Sequence, residues 1–445
     1  MARSFPGSNQ APVQKNPLAR AALCILAATV LIAAALPASA QTPDKSMPWV
    51  ATWGASMMPV NDSGPDVSGQ TLRLIVHATA GGSQARVWLS NQFGREPLRI
   101  AAAHIALSDY ADPLTAPDGS AIRSGTDRAL KFNGSGTVTI PPGATIVSDA
   151  VALEVPPLSD LAVSLYFPEH TQLMTMHAVT QQTSFAASGN ATSAPSLAAN
   201  LWDERYWYVL TGVDVYAPGD SAVVTLGDSI TDGNHSTPNA NRRWPDVLAA
   251  RLQADPAAHR AGVVGVVNSG ISGNRVLLDG TGPNALSRFE RDVIDRSGVR
   301  YLILFEGIND IEAVTRQHQS YADLDAQLEW ALTQMVVLAH ERGIRVFGAT
   351  QMPDCRNLHC ASAEGEETRQ SFNDWIRKSD IFDGVVDFDR MMRDPEHPSQ
   401  LLPRYDSGDG VHPNDTGYAA MANGIDLNLF TSPPSTHVHP IAGRP

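Results

Sequence analysis

Asp409-Gly410-Val411-His412 sets a carboxylate three residues ahead of an imidazole, and Gly227-Asp228-Ser229 sets a hydroxyl directly behind the apolar, β-branched run Val223–Leu226. A serine hydroxyl is a weak nucleophile, so it needs a base that takes its proton and a third group that orients the base. In a turn, the spacing of Asp409 and His412 lets the carboxylate reach the imidazole nitrogen that faces away from a serine, and Pro413 helps hold that loop at a helix entrance. A tetrahedral intermediate also needs donors aimed at its oxyanion. Asn268-Ser269-Gly270-Ile271-Ser272-Gly273-Asn274 offers one candidate, because Gly273 lets the backbone approach closely with its N–H exposed. Gly307-Ile308-Asn309-Asp310 offers another, because the Asn309 side chain is a neutral amide donor.

The chain carries its own control. Gly219-Asp220-Ser221 repeats the Gly-Asp-Ser tripeptide eight residues earlier, directly after Pro218 and ahead of the apolar run. Only Ser229 stands where a strand would exit its sheet, the edge at which open α/β sheets bind ligands. No Gly-x-Ser-x-Gly elbow occurs, which disfavours the α/β-hydrolase arrangement.

The elements that must position these groups follow from hydrophobic period. After Ser221 the rhythm alternates strand and helix, with strands predicted at Val223–Leu226, Val263–Val267, Tyr301–Phe305, Arg345–Ala349 and Val385–Phe388. Helices are predicted at Trp244–Gln253, Ala285–Asp295, Tyr321–Arg342, Glu366–Lys378 and Asp415–Asn428, and five such units make an α/β, doubly wound parallel sheet with helices on both faces. From Trp49 to Tyr216 the period is two. Leu72, Leu74, Val76 and Ala78 alternate with Arg73, Ile75, His77 and Thr79; Gly81-Gly82 follows, then Arg86–Leu89, a pattern that predicts a hairpin. Further strands are expected at Leu98–Leu107, Thr137–Ile140, Ala150–Val155 and Leu161–Phe167, which together give an all-β, sandwich-like region. Thr180–Asn200 reads as a long surface loop. Trp202, Tyr206, Trp207 and Tyr208 after it read first as packing between domains and second as a sugar platform.

Gly227-Asp228-Ser229, Gly273, Gly307-x-Asn309-Asp310 and Asp409-x-x-His412 resemble the ordered blocks of the GDSL, or SGNH, hydrolases, a family of esterases, lipases and carbohydrate deacetylases with a flavodoxin-like fold. The resemblance spans Val223 to about Asn428. It implies Ser229 as nucleophile, His412 as base, Asp409 as its orienting acid, and an oxyanion hole made of the Ser229 and Gly273 backbone N–H groups with the Asn309 side chain. Glu306 stands where that family often has a small residue or glycine, a departure at the floor of the site that leaves the Asn309 donor in place. The stretches TLRLIVHATAGG, ARVWLSNQFG and PLRI are similar to the β-rich domain that precedes this catalytic domain in a subgroup of bacterial members, some associated with xylan breakdown.

Arg3, Lys15 and Arg20, the apolar run Ala21–Leu36 and Ala38-Ser39-Ala40 read as a cleavable secretory leader over residues 1–40. The implied layout is then a β-rich domain over 41–216, a catalytic domain over 217–430 and a flexible tail over 431–445. The leader holds three of the 32 basic residues and no acidic one, so the mature chain sets 29 basic against 46 acidic side chains, a formal charge of −17. That excess argues against nucleic acid and for a soluble exported protein, secreted or periplasmic, while the apolar run, short for a span of about 20 residues and with no later rival, implies no stable membrane anchor. With Cys24 in the leader, Cys355 and Cys360 remain, and in an oxidising compartment they most simply form a small-loop disulfide. Their use with His359 as a zinc site would offer three ligands within six residues and no second cluster, a weak signal. No metal or other cofactor is expected.

The leading expectation is a serine esterase removing short acyl groups, foremost acetyl, from carbohydrate, polymer or oligomer. Apart from Val276-Leu277-Leu278, which could line a small acyl slot, the loops Thr231–Arg243 and Asn274–Asn284 are polar and suit sugar hydroxyls better than an alkyl tail. The alternatives are a lipase or arylesterase acting on longer or aromatic esters, and a carbohydrate- or wall-binding protein with a relic hydrolase fold.

Overall fold

The computed structural model describes residues 48–60, 63–109, 120–168, 170–197, 200–201, 206–314, 320–354 and 362–432. The leader, Trp202, the Cys355–Cys360 pair with His359, and the tail beyond residue 432 lie outside the described residues.

Five parallel strands form the sheet of the C-terminal part: β1 (Ser221–Gly227), β2 (Val263–Gly270), β3 (Val299–Phe305), β4 (Arg345–Ala349) and β5 (Gly384–Val386), in the order β2-β1-β3-β4-β5. Alternate residues of each strand feed two separate cores. Val224, Leu226, Leu302, Leu304 and Val346 pack under Leu328, Leu332 and Met335 of the helix Tyr321–Glu341. Val223, Ile303, Phe305 and Phe347 pack on the other face under Trp244 and Leu248 of Trp244–Ala254 and Tyr418 and Met421 of Asp415–Gly424. Burial on both faces explains why these strands are continuous apolar runs rather than alternating ones. The order reverses beside β1, so the chain leaves β1 and β3 in opposite directions and opens a crevice at their carboxyl ends. Both Gly-Asp-Ser229 and Gly307-x-Asn309 sit at that edge.

The N-terminal part is antiparallel. One sheet runs Trp49–Gly54, Leu210–Tyr216, Gly82–Ser90 and Val151–Val155, with Thr145–Val147 also paired to Gly82–Ser90. A second contains Ser184–Ser188, Gln70–Ala78, Ser159–Phe167, Ala102–Leu107 and Arg128–Ala129, and one continuous apolar cluster lies between the two sheets. A small third sheet joins Met58–Pro59, Thr175–Ala178 and Tyr206–Tyr208.

Several sequence expectations are corrected. Gln70–Ala78 and Gly82–Ser90 are not a hairpin: the turn between them carries the chain from one sheet to the other. The period-two reading failed to show this because Gln70–Ala78 is buried on both faces. Arg73, fully buried, donates to the Ser164 hydroxyl at 2.9 Å and to the Ser120 carbonyl at 2.6 Å, while Ile75 packs with Ala162, Phe185 and Leu197. The stretch expected as a surface loop contains the strand Ser184–Ser188 that covers this face. Of the two readings of the aromatic cluster, packing holds for Trp207 and Tyr208, which are buried, but within the antiparallel part: Trp207 meets Trp53 edge-on at 4.8 Å and donates to the Ile75 carbonyl. Val385–Phe388 is a strand only to Val386, because Asp387 caps a new helix, Phe388–Met392, through the Arg390 amide. The helix from Ala285 widens to a π-turn at Glu290–Ile294, and the helix from Asp415 stops at Gly424. Among the described residues no helix is long and apolar enough to cross a membrane.

Candidate active site

Ser229 opens a four-residue helix, Ser229–Asp232, directly behind β1. The turn into it is too tight for a side chain at Gly227, where a Cβ would lie 2.2 Å from the Thr231 hydroxyl and 2.5 Å from the Phe305 carbonyl oxygen. Asp228 caps the helix by accepting from the Ile230 amide at 2.9 Å, and Gly233, at φ 96°, ends it in the left-handed region. This geometry leaves the Ser229 hydroxyl at the mouth of the crevice, 9% exposed.

His412 reaches Ser229 across the crevice, its Nε2 2.8 Å from Oγ. Its Nδ1 lies 2.6 Å from Asp409 Oδ2, and the other oxygen of that carboxylate accepts the Val411 and His412 amides at 2.9 and 2.8 Å. Burial opposes charge on Asp409, but the His412 side chain and these two amides outweigh it and hold the carboxyl well below the usual carboxylate range. Because a carboxylate only accepts, Nδ1 carries the proton and Nε2 presents its lone pair to the serine. The loop is built locally: Asp406 accepts from the Gly408 and Gly410 amides, and Asn414 caps the following helix through the Gly417 amide.

Asn309 stands behind Gly307, which takes φ 133° at the entrance to the helix Ile308–Ala313. Its Nδ2 donates to Asp228 Oδ2 at 3.4 Å, which brings the Gly307 loop against the Gly-Asp-Ser turn. Gly273 lies in the turn after β2 at φ 75°, the left-handed conformation that glycine adopts without penalty. The Ile271 amide ties this turn to the Gly227 carbonyl at 3.0 Å. The three loops therefore come from three adjacent strands at one edge. By contrast Ser221, the first residue of β1, is 2% exposed and donates its hydroxyl to the Gly262 carbonyl at 2.7 Å.

Four residues at the site were not singled out for it by sequence reasoning. His235 has its Nε2 3.3 Å from Asp409 Oδ2 and its ring stacked on His412 at 5.3 Å between centroids, with φ 65°, a conformation uncommon outside glycine. Asp228 is fully buried, and burial pushes its carboxyl up to about 7. Asp310 accepts from the Val276 and Leu277 amides, pinning the Asn274–Asn284 stretch to the helix behind β3, and burial pushes its carboxyl up to about 6. Asp232, the last residue of the helix that Ser229 opens, is buried. The only sequence signal for His235 was its place in the loop Thr231–Arg243 that follows the serine. Glu306, noted as a departure, is fully buried with no hydrogen-bond partner for either oxygen among the described residues and Arg288 Nη2 4.0 Å away. Burial, reinforced by Asp228 and opposed by Arg288, raises its carboxyl well above the ordinary range.

Among the described residues, His235, Asp409 and His412 form one group whose ligand atoms all lie within 4.8 Å of one another. Two imidazoles and a carboxylate are a donor set that suits zinc. The pairing of His412 between Asp409 and Ser229 accounts for two of them without an ion.

Residues 225–420 match the GDSL-like Lipase/Acylhydrolase family. No curated protein matches the chain. Among solved structures, a GDSL-like lipase from Bacteroides thetaiotaomicron is 24% identical with a TM-score of 0.33, over 47% of this chain and 87% of that one. An acetyl xylan esterase from Geobacillus stearothermophilus is 21% identical with a TM-score of 0.37, over 47% and 94%. An aryl esterase from M. smegmatis is 18% identical with a TM-score of 0.35, over 46% and 95%. With the serine, the imidazole and the carboxylate at one sheet edge inside the matched span, residues 225–420 are a GDSL-like lipase/acylhydrolase domain, and the chain that carries it is a carboxylic ester hydrolase.

Proposed function

We propose that this chain is an exported serine esterase that removes short acyl groups, foremost acetyl, from carbohydrate esters. The observation that carries the reading is the unbroken hydrogen-bonded chain from Ser229 Oγ through His412 to Asp409. In the first half-reaction Oγ attacks the ester carbonyl carbon while His412 Nε2 takes its proton. The intermediate collapses, the carbon–oxygen bond to the alcohol breaks, and His412 returns the proton to the leaving oxygen. Water then attacks the acyl-enzyme by the same route in reverse, releasing the acid and restoring Ser229. Asp409, held ionised, orients the ring and stabilises the imidazolium. The Ser229 and Gly273 N–H groups and Asn309 Nδ2 face the oxyanion. An amide has two N–H bonds, so the one that Asn309 gives to Asp228 leaves a second for the substrate.

Acyl length follows from which apolar groups are available. Burying a methylene of an alkyl tail contributes about 0.8 kcal/mol, so an enzyme for long acyl chains needs an apolar groove near the serine. Of the apolar trio beside the site, Val276 is fully buried and Leu277 packs against the core, so only Leu278, 40% exposed, is free to meet a substrate. Comparison of kcat/KM across C2 to C12 p-nitrophenyl esters, with acetate release from acetylated xylan, tests the reading. A maximum at C2 to C4 with acetate release is expected. A maximum at C8 or longer without it assigns the chain to the lipases, and no turnover of any ester leaves a carbohydrate-binding role. Turnover should survive EDTA; a loss that zinc restores would bring a metal into the site.

A further inference from the structure

The short helix behind Ser229 ends in Asp232, and its carboxylate does not face the crevice. It is 1% exposed, and each oxygen is committed. Oδ2 accepts from the Ser272 amide at 3.0 Å and the Ser272 hydroxyl at 2.8 Å, so it grips the residue immediately before Gly273. Oδ1 lies 3.0 Å from Nε2 of His177, a residue of the N-terminal strand Thr175–Ala178 that is 3% exposed.

The protons on His177 follow from its neighbours. Its Nδ1 lies 2.8 Å from the Ser56 carbonyl oxygen, which can only accept, so Nδ1 donates. Nε2 faces a carboxylate oxygen whose partner oxygen is already taken by two Ser272 donors, so a proton must lie on that line as well. The ring is thus hydrogen-bonded at both nitrogens, buried, and stacked on Trp207 at 5.6 Å between centroids. Removing either member of such a buried pair leaves the other polar group without its partner, which is costly away from water, so the arrangement holds both in one geometry. Ser56 also braces the far side of the same turn, because its hydroxyl accepts from Arg288 Nη1 at 3.0 Å while that guanidinium holds the Ser269 carbonyl and the Asn274 side chain.

We infer that His177 is a positioning residue for ester hydrolysis: through Asp232 and Ser272 it sets where the Gly273 N–H points, so the antiparallel part of the chain completes the oxyanion hole. The inference rests on the reading of Gly273 as an oxyanion donor. A donor must lie at hydrogen-bonding distance from the oxyanion, and a displacement of about 1 Å can cost on the order of 100-fold in rate.

The test uses the full chain and the variants His177→Phe, which keeps the ring stack and removes both donors, and His177→Gln, whose amide can still donate to Asp232. Two readouts are taken: kcat and KM for p-nitrophenyl acetate, normalised by active-site titration, and hydrogen exchange of the segment 269–276. For His177→Phe we expect kcat to fall about 10- to 100-fold with KM within about threefold, and exchange to accelerate in 269–276. His177→Gln should recover most of both. If Phe fails to fold, the Gln and Ser272→Ala variants carry the test, the latter slowing kcat by removing one of the two grips on Asp232. Wild-type kcat in His177→Phe with unchanged exchange would overturn the inference, as would a loss that only tracks the fraction of inactive enzyme. If the wild-type chain hydrolyses no ester, the esterase reading fails, while exchange in 269–276 still decides whether His177 holds the turn.

Discussion

Ser221 and Ser229 share a tripeptide and nothing else. One spends its hydroxyl on a carbonyl inside the sheet, the other faces an imidazole. Ser229→Ala is expected to abolish turnover of p-nitrophenyl acetate, whereas Ser221→Ala should keep most turnover and lose about 1 kcal/mol of stability with its buried hydrogen bond, read as a shift in Tm. Asn309→Ala should cut kcat on the order of 100-fold with Tm little changed, because it removes one oxyanion donor from a loop whose fold is set by Gly307. Near-normal turnover with a much lower Tm would make Asn309 a turn residue instead. Asp228 leads to a prediction about pH. Its carboxyl is pushed from 3.8 to about 7 by burial, so between those values the folded chain holds a proton that the unfolded chain has released. The stability this contributes is complete below about 4 and is lost as pH rises through about 7. Asp228→Asn should therefore flatten the decline of Tm from pH 5 to pH 8; an equal decline in both proteins would place the charge elsewhere, on Glu306 or Asp310. At this scale what type and spacing made legible is a placement: Ser229, His412 and Asp409 meet in one hydrogen-bonded chain, and the turns that carry Gly273 and Asn309 lie at the same sheet edge. His235 and Asp232 were not, because their partners lie far along the chain, His177 being 55 residues from Asp232.

Elements carry the site because turns at strand ends leave no room for adjustment. A methyl at Gly227 would meet the Phe305 carbonyl oxygen, which belongs to the neighbouring strand and cannot rotate away. Gly227→Ala is expected to destabilise by more than about 2 kcal/mol in urea and to lower kcat together with it, since the same turn presents Ser229. A variant that keeps wild-type stability would show that β1 and β3 can separate there. The five parallel strands were readable because each is an apolar run with helices on both sides. The antiparallel strands were read less well, since alternation identifies a strand but not its sheet. Gln70–Ala78 keeps its alternation while a buried Arg73 occupies the face that should have met water. The π-turn at Glu290–Ile294 had no sequence mark; it brings Asp292 against Arg288, Arg291 and Arg296 at once, which holds that fully buried carboxyl far below its usual range despite its burial.

Over the whole molecule the two parts share their interior. Ala222, Val264 and Ile271 of the parallel part belong to the apolar cluster of the antiparallel part, and Ala51 packs into the parallel part's core in return. Hydrogen bonds cross as well: the Ala51 amide donates to the Ser297 carbonyl at 2.8 Å, and the Thr79 hydroxyl, which donates to the Thr52 carbonyl at 2.6 Å, accepts from the Val266 amide at 2.9 Å. Calorimetry of residues 41–445 should therefore show one transition with equal calorimetric and van't Hoff enthalpies. Two resolved transitions would show parts that fold independently. A chain begun at residue 217 is expected to be insoluble or inactive.

The loop that follows Ser229 has one more tie. Asn239 donates its amide to the Gln181 carbonyl and accepts from the Thr183 amide, Gln182 donates to the Asn241 side chain, and Asn241 donates to Asp160. The loop behind the nucleophile is thus fastened by residues 181–183, which contain none of the reacting groups. Selection on what the enzyme accepts can then act on that stretch while leaving the chemistry intact. Recombination is constrained in the opposite sense: a hydrolase half exchanged into a foreign N-terminal half would lose these bonds, so the two halves should be inherited as a pair.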